Sequence, residues 1–245
     1  MKRGQLTAIT IVALLILVIA VVLAYLSRQD NEEQLQQTLG LPPFAEQVYL
    51  YMDSCMKQVA PPALQQWGKQ SGYAMPPDDA IQGEESKIAI YYKKGENDMP
   101  AQSAMLAEGA KMIQERVEAC AQQGEFSGIV ITPTKAQATI MITEENVVAK
   151  VVYPMTIQKE EETIMLDTPY TLTMPIRLKR IWEGASAIVA MEMKDPKNVD
   201  LTLLMEQDID VEITPISDAV LVYTLIDQHA KIKEEKFVWM FANKL

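Results

Sequence analysis

Residues 208–242 read DIDVEITPISDAVLVYTLIDQHAKIKEEKFVWMFA, and their texture decides the class of fold. In Asp208-Ile209-Asp210-Val211-Glu212-Ile213 charged and β-branched residues alternate. On a strand that pattern sends the acids to one face and the apolar groups to the other. The run from Ala219 to Ile226 is a second strand. In Phe237-Val238-Trp239-Met240-Phe241 both alternating sets are apolar, which predicts a central strand buried on both faces. Between them, Asp227-Gln228-His229-Ala230-Lys231 reads as a hairpin turn. Strands that follow one another through turns pair antiparallel.

The β texture starts at Gly128. Ile129-Val130-Ile131, Ala138 to Thr143 and Val147 to Ile157 are β-branched runs bounded by turn residues. Tyr170 to Ile176 alternates cleanly, and Pro175 places that strand near an edge. Ile176 to Met193 fits an amphipathic helix carrying Ile181, Trp182, Ile188 and Val189, stopped by Asp195-Pro196. Residues 128–245 are therefore expected to form a β-rich α+β subdomain. Residues 42–127 are expected to form a mainly helical one. There, Pro42 to Trp67 is helical but broken at Pro61-Pro62, and Gly68 with Ser71-Gly72 ends the unit. A turn region follows from Met75 to Gly83, then a strand from Lys87 to Tyr92. Pro100 opens a helix running to about Gln122. The fold class is α+β with a mainly antiparallel sheet.

Two residues in the chain are cysteine, and each falls on an apolar helical stripe. Phe44, Val48, Tyr51, Cys55 and Val59 step by three or four, as do Ile113, Val117 and Cys120. An even count in an oxidising compartment reads as a disulfide. The alternative is a pair of unpaired thiols in the core.

The other end of the chain bears on the compartment. Leu6 to Leu26 is a run of 21 residues without a charge, roughly 30 Å of helix and enough to span a bilayer. Lys2 and Arg3 precede it, and Arg28 among Asp30, Glu32 and Glu33 follows it. The positive-inside bias puts residues 1–5 in the cytoplasm as a stub and the bulk of the chain outside the cell membrane. Residues 27–41 serve as a stalk. A cleavable signal fits less well, because its apolar stretch is about 7 to 15 residues long and ends in a small-residue cleavage site. The segment Lys2-Arg3-Gly4-Gln5-Leu6 resembles the leader of archaeal type IV pilins and archaellins, in which the bond after the glycine is cut. That resemblance implies a filament subunit as the rival to a permanent anchor.

The whole chain carries a formal charge of −11, and beyond residue 28 there are 19 basic against 33 acidic residues. So acidic an exterior argues against nucleic acid, whose complexes depend on Lys and Arg neutralising phosphates. With 49% hydrophobic residues the exterior part can still bury an ordinary core, and the 15 methionines are read as core filler.

A wider resemblance rests on Val48-Tyr49-Leu50-Tyr51-Met52-Asp53-Ser54-Cys55, Gly72-Tyr73 ahead of Pro76-Pro77, Tyr91-Tyr92, and Val117-Glu118-Ala119-Cys120. Val152-Tyr153-Pro154, Val222-Tyr223-Thr224-Leu225-Ile226-Asp227 and Phe237-Val238-Trp239-Met240-Phe241-Ala242 extend it. Together they resemble a group of uncharacterised archaeal proteins with one N-terminal membrane helix. The resemblance implies an extracytoplasmic α+β domain and no particular chemistry.

Candidate chemistry is sparse. No Gly-rich phosphate loop, GxSxG elbow or HExxH occurs. His229 has Asp227 as a conceivable acid partner, but reads first as a solvated turn residue. Asp208, Asp210 and Glu212 are a candidate calcium set, since acids two apart share a strand face. The plainer reading is the polar face of a half-buried strand. Glu144-Glu145, Glu160-Glu161-Glu162 and Glu234-Glu235 read as acidic turns. Tyr49, Tyr51, Tyr91 and Tyr92 either line a glycan or peptide groove or pack in the core. The expectation is a membrane-anchored protein with a structural or binding role, partnered by the lipid bilayer and by an envelope protein or glycan. No cofactor or catalysis is expected, and an extracytoplasmic hydrolase is the remaining rival.

Overall fold

A computed structural model describes residues 40–195, 209–232 and 235–245. The expected anchor from Leu6 to Leu26, the pilin-like leader, most of the stalk and Asp208 lie outside the described residues. No helix of the described residues is long and apolar enough to cross a membrane. The chain divides into two compact units, 1–47 and 48–245.

Three helices and thirteen strands alternate in the described residues. Helix α1 runs Pro43–Lys69, followed by β1 (Ile81–Gln82), β2 (Lys87–Ile88), β3 (Ile90–Lys93) and β4 (Glu96–Asn97), and then α2 (Gln102–Ala121). Six strands come next: β5 (Val130–Pro133), β6 (Gln137–Ile142), β7 (Val147–Val152), β8 (Met155–Lys159), β9 (Glu162–Leu166) and β10 (Tyr170–Met174). Helix α3 (Leu178–Lys194) leads to β11 (Asp210–Ser217), β12 (Val220–Ile232) and β13 (Glu235–Lys244). This is an α+β fold with mostly antiparallel sheets, as expected.

The largest sheet has the order β11-β12-β13-β3-β4. Its one parallel pairing joins β13 to β3, so a strand from the first half of the chain completes a sheet built by its end. Alternation along β13 turns Phe237, Trp239 and Phe241 to one face, where all three are fully buried. Tyr223 and Leu225 of β12 stand opposite Phe241 and Trp239 on that face. Tyr91 of β3 and Tyr223 stack on the two sides of Phe241, at centroid distances of 4.8 and 5.2 Å. Such pairs are worth about 0.5–1.5 kcal/mol each beyond the area they bury. Val238 and Met240 face the other way and are only half-buried, so β13 is central but not dry on both faces.

Helix α1 docks on the buried face through its last turns. Trp67 meets Trp239 edge to face at 5.1 Å. Gly68 lies so close to β13 that a Cβ added there would stand 2.3 Å from the Val238 carbonyl oxygen. The helix ends at Ser71 (φ 59°) and Gly72 (φ 75°), the second of which donates its N–H to the Trp67 carbonyl. A non-glycine residue in the left-handed region is uncommon and costs energy. Ser71 is held there because its Oγ accepts from the Ala89 N–H at 2.9 Å and its carbonyl accepts from the Tyr91 hydroxyl at 2.7 Å.

Proline did not break α1. A proline inside a helix leaves the carbonyl four residues earlier without a donor. For Pro61 and Pro62 those carbonyls belong to Lys57 and Gln58, both exposed, where water can satisfy them. The Pro100 helix begins two residues later than expected, at Gln102. The run from Val147 to Ile157 is two strands in two sheets, separated at Tyr153-Pro154. Here β7 pairs with β6 and β10, whereas β8 pairs with β5 and β9. Thr134 ties that corner by donating both its N–H and its hydroxyl to the Pro154 carbonyl at 2.9 Å. Strand β10 is an edge, as Pro175 implied.

Cys55 of α1 and Cys120 at the end of α2 form a disulfide, with Cα atoms 5.9 Å apart. The α2 stripe Met105, Gly109, Ile113, Val117 carries Cys120 onto the same face, as read from its spacing. In α1 the buried line runs through Met52 and Met56, leaving Tyr51 and Val59 half-buried. Closing a loop of 65 residues stabilises the fold by roughly 4 kcal/mol in the chain-entropy model. A disulfide of this kind points to an oxidising, extracytoplasmic environment.

Gly68 and Gly184 make opposite predictions. At Gly68 an alanine must displace backbone, an overpacking cost of about 3 kcal/mol that exceeds the roughly 1 kcal/mol gained in helix propensity. At Gly184 the nearest heavy atom to an added Cβ is Leu225 Cδ2 at 3.5 Å, an ordinary contact. Urea unfolding should therefore show Gly68→Ala less stable by about 2 kcal/mol and Gly184→Ala unchanged or more stable.

Candidate functional site

The half-buried face of the large sheet carries an open cleft. Val222 and Thr224 of β12, Met240 of β13, Thr214 and Ile216 of β11, and Ile88 of β2 line a lobe of about 450 Å³. Its floor follows from strand alternation: the residues that do not point at α1 must point here. Ile88, Val222 and Ala242 form a small buried cluster beneath it, with Ile81, Ile90 and Met240 packed around them. Ile216 stays 56% exposed, an apolar wall that nothing within the described residues covers.

The second lobe, about 600 Å³, adjoins the first and is lined by more polar and charged residues than apolar ones, which makes it the polar lobe of the two. Pro62, Gln65 and Gln66 on the outer side of α1 form one wall, and Ile232 and Glu235 of the terminal hairpin form the other. Lys69, Glu85 and Ser86 line both lobes. Lys69 Nζ pairs with Glu85 across the divide, and hydrogen bonding from that ammonium holds the Glu85 carboxyl below its ordinary range. The Ser86 hydroxyl donates to the Lys69 carbonyl at 3.1 Å. Lysine and serine side by side suggest a nucleophile and its base, but both are spent on other partners.

The candidates read from the sequence fall elsewhere. His229 is not in a turn; it is exposed in β12, within the stretch where the register to β13 shifts. The strand continues because Ala230 and Ile232 resume the buried alternation. Asp227 does not serve the imidazole. Its carboxylate accepts from Arg177 Nε at 2.9 Å and Nη2 at 2.5 Å, and from the His229 main-chain N–H at 3.0 Å. Asp210 and Glu212 are exposed on β11, the expected polar face, and the Gln228 amide donates to Asp210. Among the described residues no three His, Cys, Asp or Glu side chains come together as a metal site would require. Glu144 and Glu145 lie between β6 and β7, paired with Lys179 and Arg180 of α3. The tyrosines are mostly structural. Tyr91 and Tyr92 are buried, Tyr49 stacks on Tyr170 at 5.1 Å, and Tyr51 donates to the Cys120 carbonyl at 2.9 Å.

Two buried polar clusters escaped the sequence reading. The alternation that buries Tyr223 and Leu225 also carries Asp227 inward, to meet Arg177 before α3. Burial alone would raise the Asp227 pKa, but the Arg177 hydrogen bonds and charge and the His229 N–H outweigh it and lower it. Removing either partner would strand a buried charge, at about 3–5 kcal/mol. The second cluster joins Glu192, Tyr223 and Asn243. The α3 stripe Ile181, Ala185, Ile188 continues to Glu192, and the β13 alternation continues past Phe241 to Asn243. Tyr223 and Asn243 both donate to the Glu192 carboxyl. A polar residue in the apolar phase of its element is the signal that would have found them.

Comparison with family models, curated proteins and solved structures finds no match to this chain.

Burial raises the Glu192 pKa against the smaller opposing effect of its two hydrogen bonds. A carboxyl whose folded pKa is raised favours folding while protonated. That contribution is full below the unfolded value near 4.3 and is lost as pH rises through the folded value. Glu192→Gln should raise the thermal midpoint at pH 7 and leave it nearly unchanged at pH 4, read by circular dichroism at both.

Proposed function

We propose that this chain is a single-pass membrane protein whose helix from Leu6 to Leu26 holds an extracytoplasmic, disulfide-braced binding domain at the cell envelope. The observation that carries the reading is the Cys55–Cys120 bond, which joins the two helices of the first half of the domain. A buried or half-buried cystine of this span is at home where thiols are oxidised and out of place among cytosolic reductants. The basic residues ahead of the apolar run and the acidic ones after it support the same orientation. So does the resemblance to archaeal proteins with one N-terminal membrane helix.

Binding rather than catalysis is favoured by the cleft. Its lobes lie in the size range of ligand sites, about 300–1,000 Å³, and its apolar floor is ringed by a few polar groups. Its lysine, serine and nearest acid are engaged with one another. The partner is therefore an envelope protein or glycan held on this face, with the bilayer engaged through the N-terminal helix.

Protease added to intact cells should remove the domain and leave only a short membrane-protected fragment containing residues 6–26. A domain that survives on intact cells and is digested only after lysis would reverse the topology.

A further inference from the structure

Resting on the reading of the cleft as a binding site, we infer that its occupant is an extended peptide in which an aliphatic side chain is flanked by Lys or Arg. The described side chains that line the two lobes include three carboxylates, Glu84, Glu85 and Glu235, and one ammonium, Lys69. Lys69 neutralises Glu85, so two negative charges face the cleft without an ion-pair partner among the described residues. An anionic ligand is repelled there, and a cationic one is attracted and steered in.

Shape supplies the second half. The apolar lobe offers Val222 and Met240 as floor and the half-exposed Ile216 as wall, enough to take one aliphatic side chain out of water. Burying such a group is worth roughly 1.5–3 kcal/mol when complete, and the open cleft covers only part of it. The polar lobe begins immediately beyond the Lys69–Glu85 bridge. A ligand must therefore present unlike groups side by side, apolar on the floor of the first lobe and cationic at Glu84 of that lobe or at Glu235 of the second. Extended peptide does this at successive positions, because its side chains alternate in direction. Thr214 and Thr224 add hydroxyls at the apolar wall that can meet main-chain amides.

The test uses the full-length chain in detergent micelles and three fluorescent pentapeptides, Leu-Lys-Leu-Lys-Leu, Leu-Glu-Leu-Glu-Leu and Ser-Lys-Ser-Lys-Ser, followed by anisotropy. The Leu/Lys peptide should bind saturably and at least about tenfold more tightly than either of the others. Glu84→Gln should weaken it about threefold, the size of one exposed ion pair, and raised salt should erase that difference. Ile216→Asn should weaken it about fivefold, through lost apolar contact. Both residues are exposed, so unchanged melting curves will show that the fold is intact. Equal or tighter binding of the Leu/Glu or Ser/Lys peptide overturns the inference and leaves the cleft a binding site of another class. If none of the three binds, the inference fails and the cleft reading fails with it. Binding that ignores both substitutions places the peptide elsewhere and overturns the inference too.

Discussion

The structure turns on how closely one helix can approach one strand. Trp67, Gly68, Ser71 and Gly72 bring the end of α1 against the backbone and indole of β13, and against Ala89 and Tyr91 of the neighbouring chain segment. A side chain at Gly68 would hold the helix off, so the missing Cβ is what lets the aromatic layer close. From that contact the rest follows. β13 is fixed between β12 and β3, its Trp239 and Phe241 turn to the buried face on which α1 docks, and its Met240 must face away. The apolar lobe of the cleft is thus the reverse side of the core-forming contact.

Strand and helix phase carries polar groups inward as readily as apolar ones. Asp227, Glu192 and Asn243 occupy slots that their elements otherwise give to Leu, Ile or Phe, and each is held by a partner from another element. The two carboxyls respond oppositely to the interior. Arg177 and a main-chain N–H keep Asp227 in its charged form, so its contribution is present above the ordinary carboxylate range and is lost in acid. Glu192 has only neutral donors, and burial wins. Their pH dependences have opposite signs, and neither cluster lines the cleft.

Much of the fold was legible because local pattern and tertiary environment agree. The clean alternation of Tyr170 to Met174, the stripe of α3 and the two cysteines on apolar faces all read correctly. Misreadings arose where a local signal was overruled by surroundings a sequence does not display. Pro61 and Pro62 sit within a helix because the orphaned carbonyls face solvent, and His229 sits within a strand because its neighbours are still packed inward. Strand β9 hid behind Glu160-Glu161-Glu162, where only the first two form the turn and Glu162 begins the strand. The cleft was not legible at all. It gathers Lys69, Glu85, Ile216 and Met240, which no spacing connects, and it exists because β3 crosses to lie beside β13.

The cystine links this architecture to its place of work. Joining α1 to α2 closes a loop of 65 residues that includes β1 through β4, and so restrains the strand that completes the large sheet. A domain that depends on such a bond belongs in an oxidising compartment. The most direct measurement is peptide mapping by mass spectrometry of the protein isolated from the cells that make it, with thiols blocked before lysis and no reductant added. The account predicts one cross-linked species joining the Cys55 and Cys120 peptides, with neither residue alkylated. Alkylated Cys55 and Cys120 in that sample would contradict it.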